Sequence, residues 1–338
     1  MALTIQQKEQ IAQVVIKVLY SRFNSFPNDE GSNRNAPFHE AFMQAFQDKL
    51  CDRVRNIPDF INLSSWMHGL NTTLGQTFFE GVAHILCDGY KKEFSEKTYS
   101  DFKIFRKQRN AITEIITDLK NGTKQPSTLH EDKIIADNAN GDLQEAIKFT
   151  ADCFYETETD VVAIELKSVR PNSGETKGEK EKILIGKAFL RAQYPDKQVH
   201  FFFGFPFDPT SEGETTYDKT RFLRNLVEAE KFIAHDDFKI ADELWSFLAS
   251  SNGGTMQEIL DIINQIATPQ FMDVFRKIQD FSTPKEERRQ LLAQWYQYSE
   301  VRIIDEVVCA KANYRKYHQA IFDCEGCYNK RRLELLNE

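Results

Sequence analysis

The chain has 338 residues, enough for one large domain or two modest ones, and its 12% aromatic content, with 27 Phe, excludes a disordered chain. A formal net charge of −8 argues against a protein that coats nucleic acid non-specifically, though a locally basic cleft on an acidic body stays open. No apolar run is long enough to cross a bilayer, and no membrane association is expected.

The opening MALTIQQKEQIAQVVIKVL has polar residues interrupting its apolar ones, so it reads as an amphipathic helix rather than a cleaved leader. Ile11, Val14, Val15 and Val18 set its helical spacing over 5–20. A polar break, PNDEGSNRNAP, precedes a short helix near 38–52. Over 71–94, Phe79, Val82, Ala83, Leu86 and Tyr90 form one stripe of a further helix. Another helix fits 101–120 and ends at Asn121-Gly122, after which NGTKQPSTLHEDK reads as loop.

The period then changes. IKFTADCFYE, 147–156, is rich in aromatic and β-favouring residues and reads as a strand, TETD as a turn, and VVAIELKS as the returning strand. A polar loop over 170–182 leads to a helix over 183–193, stopped by Pro195, and VHFFFGFPF, 199–207, is a third strand. The middle of the chain is therefore ββαβ. Beyond about 211 it returns to helices, TMQEILDIINQI among them. This gives an α+β or α/β fold in three parts: a helical region over 1–70, a core over 71–210 and a mostly helical region over 211–338.

The hairpin carries chemistry. With its turn centred between Glu158 and Thr159, Asp152 falls opposite Glu165. Directly opposed side chains have Cβ atoms roughly 4.5–5.5 Å apart, and two carboxylates that close repel unless a cation sits between them. Oxygen ligands with open water positions suit Mg²⁺. Lys167 shares the face of Glu165 and would lie beside any phosphate or water there. Such a set can hydrolyse a phosphodiester. An E-x-K pair in a strand also arises by chance as a surface ion pair, and context decides: the triplet follows an apolar strand, and a helix and third strand come after it. Asp160 is a rival acid, but its odd spacing from Glu165 turns it to the other face.

Other signals are weaker. Arg170, Lys177, Lys180 and Lys182 lie in the polar loop, where they could contact phosphates while Asn172 and Ser173 reach base edges, although Glu175, Glu179 and Glu181 nearly cancel the charge. FKIFRKQR, 102–109, with Arg106 and Arg109, is a second basic tract that an amphipathic helix with a solvated face explains more simply. Cys324-Glu-Gly-Cys327, with Cys309 and His318 upstream, could hold zinc, but the spacing fits no compact knuckle and there is no second pair; reduced thiols around a helix break are the expectation. Cys51, Cys87 and Cys153 read as small core residues. The chain contains neither an H-E-x-x-H motif nor a phosphate-binding G-x-x-x-x-G-K-[ST] loop.

Asp152 followed, after twelve residues, by Glu165-Leu166-Lys167 inside ββαβ resembles the PD-(D/E)xK nuclease superfamily, with Ala151 in place of the proline. LGQTFFEGVAHIL at 74–86, ELKSVRPNSGETKGEKEKIL at 165–184 and KIADELWSFLASSNGGTMQEILDII at 239–263 are similar to the TdeIII-like group of type II restriction endonucleases. The resemblance implies a mixed sheet flanked by helices. It makes Asp152 and Glu165 Mg²⁺ ligands, with the Leu166 carbonyl as a third, and gives Lys167 the attacking water. It further implies an upstream helical acid, a position that Glu80 matches, and a 5′-phosphate product. The expected protein is a prokaryotic cytoplasmic restriction enzyme acting on double-stranded DNA as a homodimer, because two active sites are needed to cut a symmetric site. A cognate DNA methyltransferase would belong to the same system without direct contact. A repair or recombination nuclease of the same fold, or a non-catalytic DNA-binding module, is the alternative.

Overall fold

A computed structural model of the chain describes residues 3–27, 57–167, 173–310 and 314–337, together with 41, 43–46 and 50. The short helix expected near 38–52 lies mostly outside the described residues. Helix α1 spans Ile5–Asn24 and α2 spans Ile57–Thr73. A π-helical stretch, Leu74–Phe79, leads into α3, Glu80–Cys87, followed by strands β1, Tyr90–Phe94, and β2, Lys103–Phe105. Then come α4, Arg106–Asn121, α5, Thr128–Asp137, β3, Leu143–Glu145, β4, Phe149–Glu156, and β5, Asp160–Leu166. Helix α6, Ser173–Gln193, crosses to β6, Gln198–Phe205. Next are α7, Lys219–Asn225, α8, Ala229–Phe232, β7, Phe238–Ile240, α9, Asp242–Leu248, and α10, Thr255–Ile266. The rest is helical, through α11, Phe271–Gln279, α12, Lys285–Gln294, and α13, Tyr298–Ala310, to a 3₁₀ turn at Lys330–Leu336.

The chain divides into two compact units, Met1–Gln7 with Phe79–Leu260, and Lys8–Phe78 with Asp261–Glu338. The first holds a five-stranded sheet in the order β1-β4-β5-β6-β7. β1, β4 and β5 pair antiparallel, and β5, β6 and β7 run parallel. This is the mixed sheet with ββαβ connectivity expected from the sequence. Val161, Val162, Ala163 and Ile164 are buried throughout, as a central strand of a covered sheet requires. Helix α6 packs on β6, and a cluster of aromatic rings from Phe94, Phe102, Phe149, Phe189 and Phe201 forms the core there. Elsewhere in the unit α3 packs on β4 and on α9.

Several segments differ from the sequence reading, among them β2, which opens the stretch expected as a helix over 101–120 and leaves the helix to begin at Arg106, and β7, a strand added to the sheet's edge within the tract expected to be helical. The helix expected through 94 stops at Cys87: Asp88 takes a left-handed conformation, φ 52°, and its N–H caps the His84 carbonyl. A Cβ at Gly89 would lie 3.0 Å from Cys153 Sγ and 3.1 Å from the Phe154 carbonyl, so glycine lets the chain close on β4 and continue as strand β1. The loop expected over 121–133 gives way to α5 from Thr128 on, where the Ser127 hydroxyl caps the helix by accepting the His130 N–H. The polar loop expected over 170–182 is, from Ser173 on, the first half of α6. Its charges mask a buried face, because Thr176 and Lys180, one helical turn apart, are 1% and 0% exposed.

Lys180 anchors that turn. Its ammonium lies 2.6 Å from Glu131 and 2.5 Å from Asp237, both buried. Burial opposes the lysine's charge, but the two carboxylates outweigh it and raise its pKa.

The second unit is built from helices. Tyr20 of α1 stacks on Phe275, and Phe271 stacks on Trp295. A fully buried Arg332 grips Glu300 through both carboxylate oxygens, at 2.7 and 2.9 Å. Glu9 accepts from the Ser299 backbone N–H and hydroxyl, each at 2.9 Å.

Two stability predictions follow from the first unit. A Cβ at Gly186 of α6 would collide with the Phe201 ring and come within 3.2 Å of Phe149. Gly186→Ala should therefore destabilise by about 1–3 kcal/mol despite the better helix propensity of Ala, as read from urea unfolding. Lys180→Met leaves two buried carboxylates facing each other without their cation and should cost about 3–5 kcal/mol in the same measurement.

Candidate active site

The β4–β5 ladder pairs Cys153 with Ile164, Phe154 with Ala163, Tyr155 with Val162 and Glu156 with Val161. This is the register read from the sequence, and its next step sets Asp152 against Glu165. Asp152 Oδ2 accepts the Leu166 backbone N–H at 3.0 Å. The strand extends one residue further as Lys167 N–H donates to the Gly204 carbonyl at 2.9 Å. The acids thus lie at the carboxyl end of β5, where open α/β sheets present their crevices. Asp160, at the other end of β5, accepts from Thr159 and pairs with His200 at 2.8 Å, away from this corner.

Glu80 opens α3 immediately after the π-helical stretch, a distortion frequent at functional sites. It joins Asp152 through a lysine that the sequence reading did not single out. Lys91 Nζ sits 3.1 Å from Glu80 Oε1 and 3.1 Å from Asp152 Oδ1. Burial opposes its charge, but the two hydrogen-bonded carboxylates prevail and raise its pKa. His84 of α3 meets the Asp152 main-chain carbonyl at 2.7 Å, tying helix to strand.

On the other side, Glu165 is 7% exposed, and both burial and Asp152 push its pKa up. Two lysines answer it, Lys167 at 2.9 Å and Lys182 at 2.8 Å. Both also reach Glu179, at 2.9 and 2.6 Å respectively. Burial works against the Lys167 charge, yet Glu165 and Glu179 push its pKa up to about 12. Burial likewise works against the Glu179 charge, but Lys182 and Lys167 hold its pKa low. Glu179 is a second residue the sequence reading passed over, having counted it only as diluting charge. Its i,i+3 spacing from Lys182 was the available signal, visible once this stretch is taken as helix.

The expected DNA-contact residues separate. Lys177 is half-buried on α6. Lys180 is enclosed by Glu131 and Asp237 and cannot meet a phosphate, so its expected contact is withdrawn in favour of the structural role above. Lys182 faces Glu165 and Glu179 rather than a loop surface. Arg170 and Asn172 lie outside the described residues, and Ser173 is described only as the first residue of α6. In the basic tract, Arg109 pairs with Glu181 at 2.9 Å and Arg106 is exposed.

The donor set fits a hard divalent cation in kind. Glu80 and Asp152 offer carboxylate oxygens, already share one positive charge, and have Glu165 across the ladder. Among the described residues no three His, Cys, Asp or Glu converge closely enough to hold a metal as they stand. The thiols offer a different chemistry: Cys87 and Cys153 meet at 3.4 Å behind Asp152. Cys324 and Cys327 flank a turn in which Asp323 accepts from Glu325 and Cys327 N–H, while His318 packs its ring on Phe281. The side chain of Cys309, like the whole of Cys51, lies outside the described residues.

Comparison of the sequence with known proteins points to one family. Residues 3–267 match the family described as type II restriction endonuclease, HinfI. The chain is also 42% identical over 324 residues to the type II restriction enzyme MjaII of Methanocaldococcus jannaschii, a match covering 90% of this chain and 84% of that protein. Neither comparison supports the narrower TdeIII-like grouping. The extent of both matches, over a mixed sheet that ends in Glu165-Leu166-Lys167, identifies the chain as a member of the HinfI family of type II restriction endonucleases, a sequence-specific nuclease acting on DNA.

Proposed function

We propose that this enzyme cuts both strands of a short DNA site in a Mg²⁺-dependent reaction that leaves 5′-phosphates, using Asp152, Glu165, Lys167 and Glu80. The observation that carries this reading is the hairpin register, which opposes Asp152 to Glu165 with the Asp152 carboxylate accepting the Leu166 N–H. Asp152 and Glu165 would hold the cation, with the Leu166 carbonyl and Glu80 completing or adjusting the set. Bound there, Mg²⁺ supplies the charge that polarises the scissile phosphate.

The remaining work belongs to the chain. Lys167, held near Glu165 and Glu179, keeps its proton at neutral pH and so acts as a fixed positive donor, orienting the attacking water and offsetting charge that develops on the phosphate. Glu179 steadies that ammonium from α6, so Lys167 stays positioned when Glu165 turns to the metal. Lys182 adds a second positive charge to the same corner. Lys177, Arg170, Asn172, Ser173 and Arg106 are the residues we assign to the DNA face. A symmetric site is served by two copies of the chain related by a two-fold axis, and a methyltransferase of the same specificity would protect the host's own DNA.

Digestion of a mapped plasmid with and without Mg²⁺ tests the reaction: discrete fragments only with the metal are expected, and their absence on unmethylated DNA would favour a binding module. Glu165→Ala and Lys167→Ala should each lose cleavage by on the order of 3 kcal/mol or more in the barrier while still shifting cognate DNA in gels. Wild-type rates in either would remove the assignment. Asp152→Asn should cripple metal-dependent cleavage and Asp160→Asn should spare it, as measured in one Mg²⁺ titration of activity; the reverse order would overturn the assignment of Asp152.

A further inference from the structure

Lys91 has a position that its strand does not explain by pairing alone. It lies on β1, an edge strand. Tyr90 pairs with Phe154 and Lys92 with Ala151, so two steps on β1 span three on β4. The extra residue is a bulge that sets Asp152 and Cys153 against Lys91, and bulges of this kind re-aim side chains beside active sites. The neighbouring Lys92 goes elsewhere, its ammonium 4.1 Å from the centre of the Phe154 ring and 3.3 Å from the Tyr194 hydroxyl. Lys91 instead bridges acids from two separate elements, 3.1 Å from Glu80 Oε1, 3.2 Å from Glu80 Oε2 and 3.1 Å from Asp152 Oδ1.

A monovalent cation equidistant from two carboxylates stands where a shared divalent cation would stand. The two cannot use the same oxygens at bonding distance, because their charges would repel across a few ångströms. The carboxylates are largely covered, at 15% and 16% exposure, whereas the lysine side chain is 49% exposed. Asp152 is also held by the Leu166 N–H, while the lysine stem reaches solvent, so the ammonium is the partner that can move. Its four-carbon stem can swing the charge into water or toward a phosphate without moving the strand.

We propose that Lys91 is the resident counter-ion of Glu80 and Asp152, and that a divalent cation reaches these two acids only by displacing it. The inference rests on the reading of Glu80 and Asp152 as metal ligands given above. Lys91 thereby holds the acids together in the metal-free enzyme and lowers their affinity for metal. When DNA is present, the displaced ammonium has phosphate oxygens available to it, so metal entry and DNA entry favour each other. Lys91 is a positioning residue for the reaction.

The test is calorimetric titration of the full-length, DNA-free protein with Ca²⁺, using circular dichroism to confirm folding. Lys91→Met should bind Ca²⁺ about tenfold more tightly than wild type, since the competing charge is removed. Lys91→Gln should also bind more tightly, and provides a polar replacement should the Met variant fold poorly. Lys92→Met makes the same change in net charge from the neighbouring position and should stay near wild type. Unchanged or weaker Ca²⁺ binding in both Lys91 variants overturns the proposal, as does equal tightening in Lys92→Met, which would make the effect one of overall charge. Asp152→Asn separates the two layers: it should weaken Ca²⁺ binding. If it does so while the Lys91 variants fail to tighten, the metal site stands and the displacement falls. If Asp152→Asn binds as wild type does, both fall together.

Discussion

Repulsion between buried like charges is the constraint on which this site depends. The β4–β5 register brings Asp152 opposite Glu165, and α3 adds Glu80. Carboxylates are costly to cover unless each finds a counter-charge. Three lysines from three different elements or their ends meet that need: Lys91 from β1, Lys167 from the end of β5, and Lys182 from α6. Burial and the nearby Asp152 still push the Glu165 pKa up, against the two lysines that favour its charge. The acids that the proposed metal site would use are, in this structure, held in place by lysines that share them.

Helix α6 couples that corner to the rest of the fold. Within one helix, Lys180 is locked into a dry pocket between Glu131 and Asp237, Glu179 and Lys182 turn toward Glu165, and Gly186 lets the helix approach the Phe201 ring. Adjacent residues 179 and 180 therefore serve different faces, as helical geometry requires. The anchor fixes the rotation and height of the helix, and the rotation fixes where Glu179 meets Lys167. An ion pair this deep adds little net stability relative to an apolar replacement, but it tolerates only one placement of the helix, and placement is what the site uses.

The hairpin was legible in the sequence because its signals are local. The apolar run into Glu165, the turn at TETD and period-two alternation set Asp152 against Glu165 without any knowledge of the rest of the chain. β1 was not legible in the same way. The stripe from Phe79 to Leu86 continues on paper to Tyr90, and the break at Asp88 and Gly89 depends on contact with β4, a tertiary fact. The first half of α6 was hidden for the opposite reason. GETKGEKEK has a loop's composition, and the burial of Thr176 and of Lys180, whose ammonium meets the distant acids Glu131 and Asp237, gives this stretch an inner helical face. Lys91 and Glu179 were missed with those elements, since a site residue cannot be placed when its strand or helix is not.

The same charge inventory explains how an acidic chain can act on DNA. Among the described residues, Glu80, Asp152, Glu165 and Glu179 set four negative charges against the three positive charges of Lys91, Lys167 and Lys182. The corner carries a net single negative charge, which opposes a phosphate. On the proposed reading, a divalent cation would bring two positive charges and reverse the sign so long as the displaced Lys91 ammonium stays beside the corner, on a phosphate. At the short range set by screening near 0.15 M salt, roughly 8 Å, that local reversal counts for more than the overall charge of −8 spread over the whole body. Of the lysines whose charge the neighbouring glutamates nearly cancel in the sequence, Lys182 is paired with one of them, Glu179, which also holds Lys167 beside Glu165. On the proposed reading, a site balanced so close to neutrality would grip a phosphate chiefly through the cation it holds.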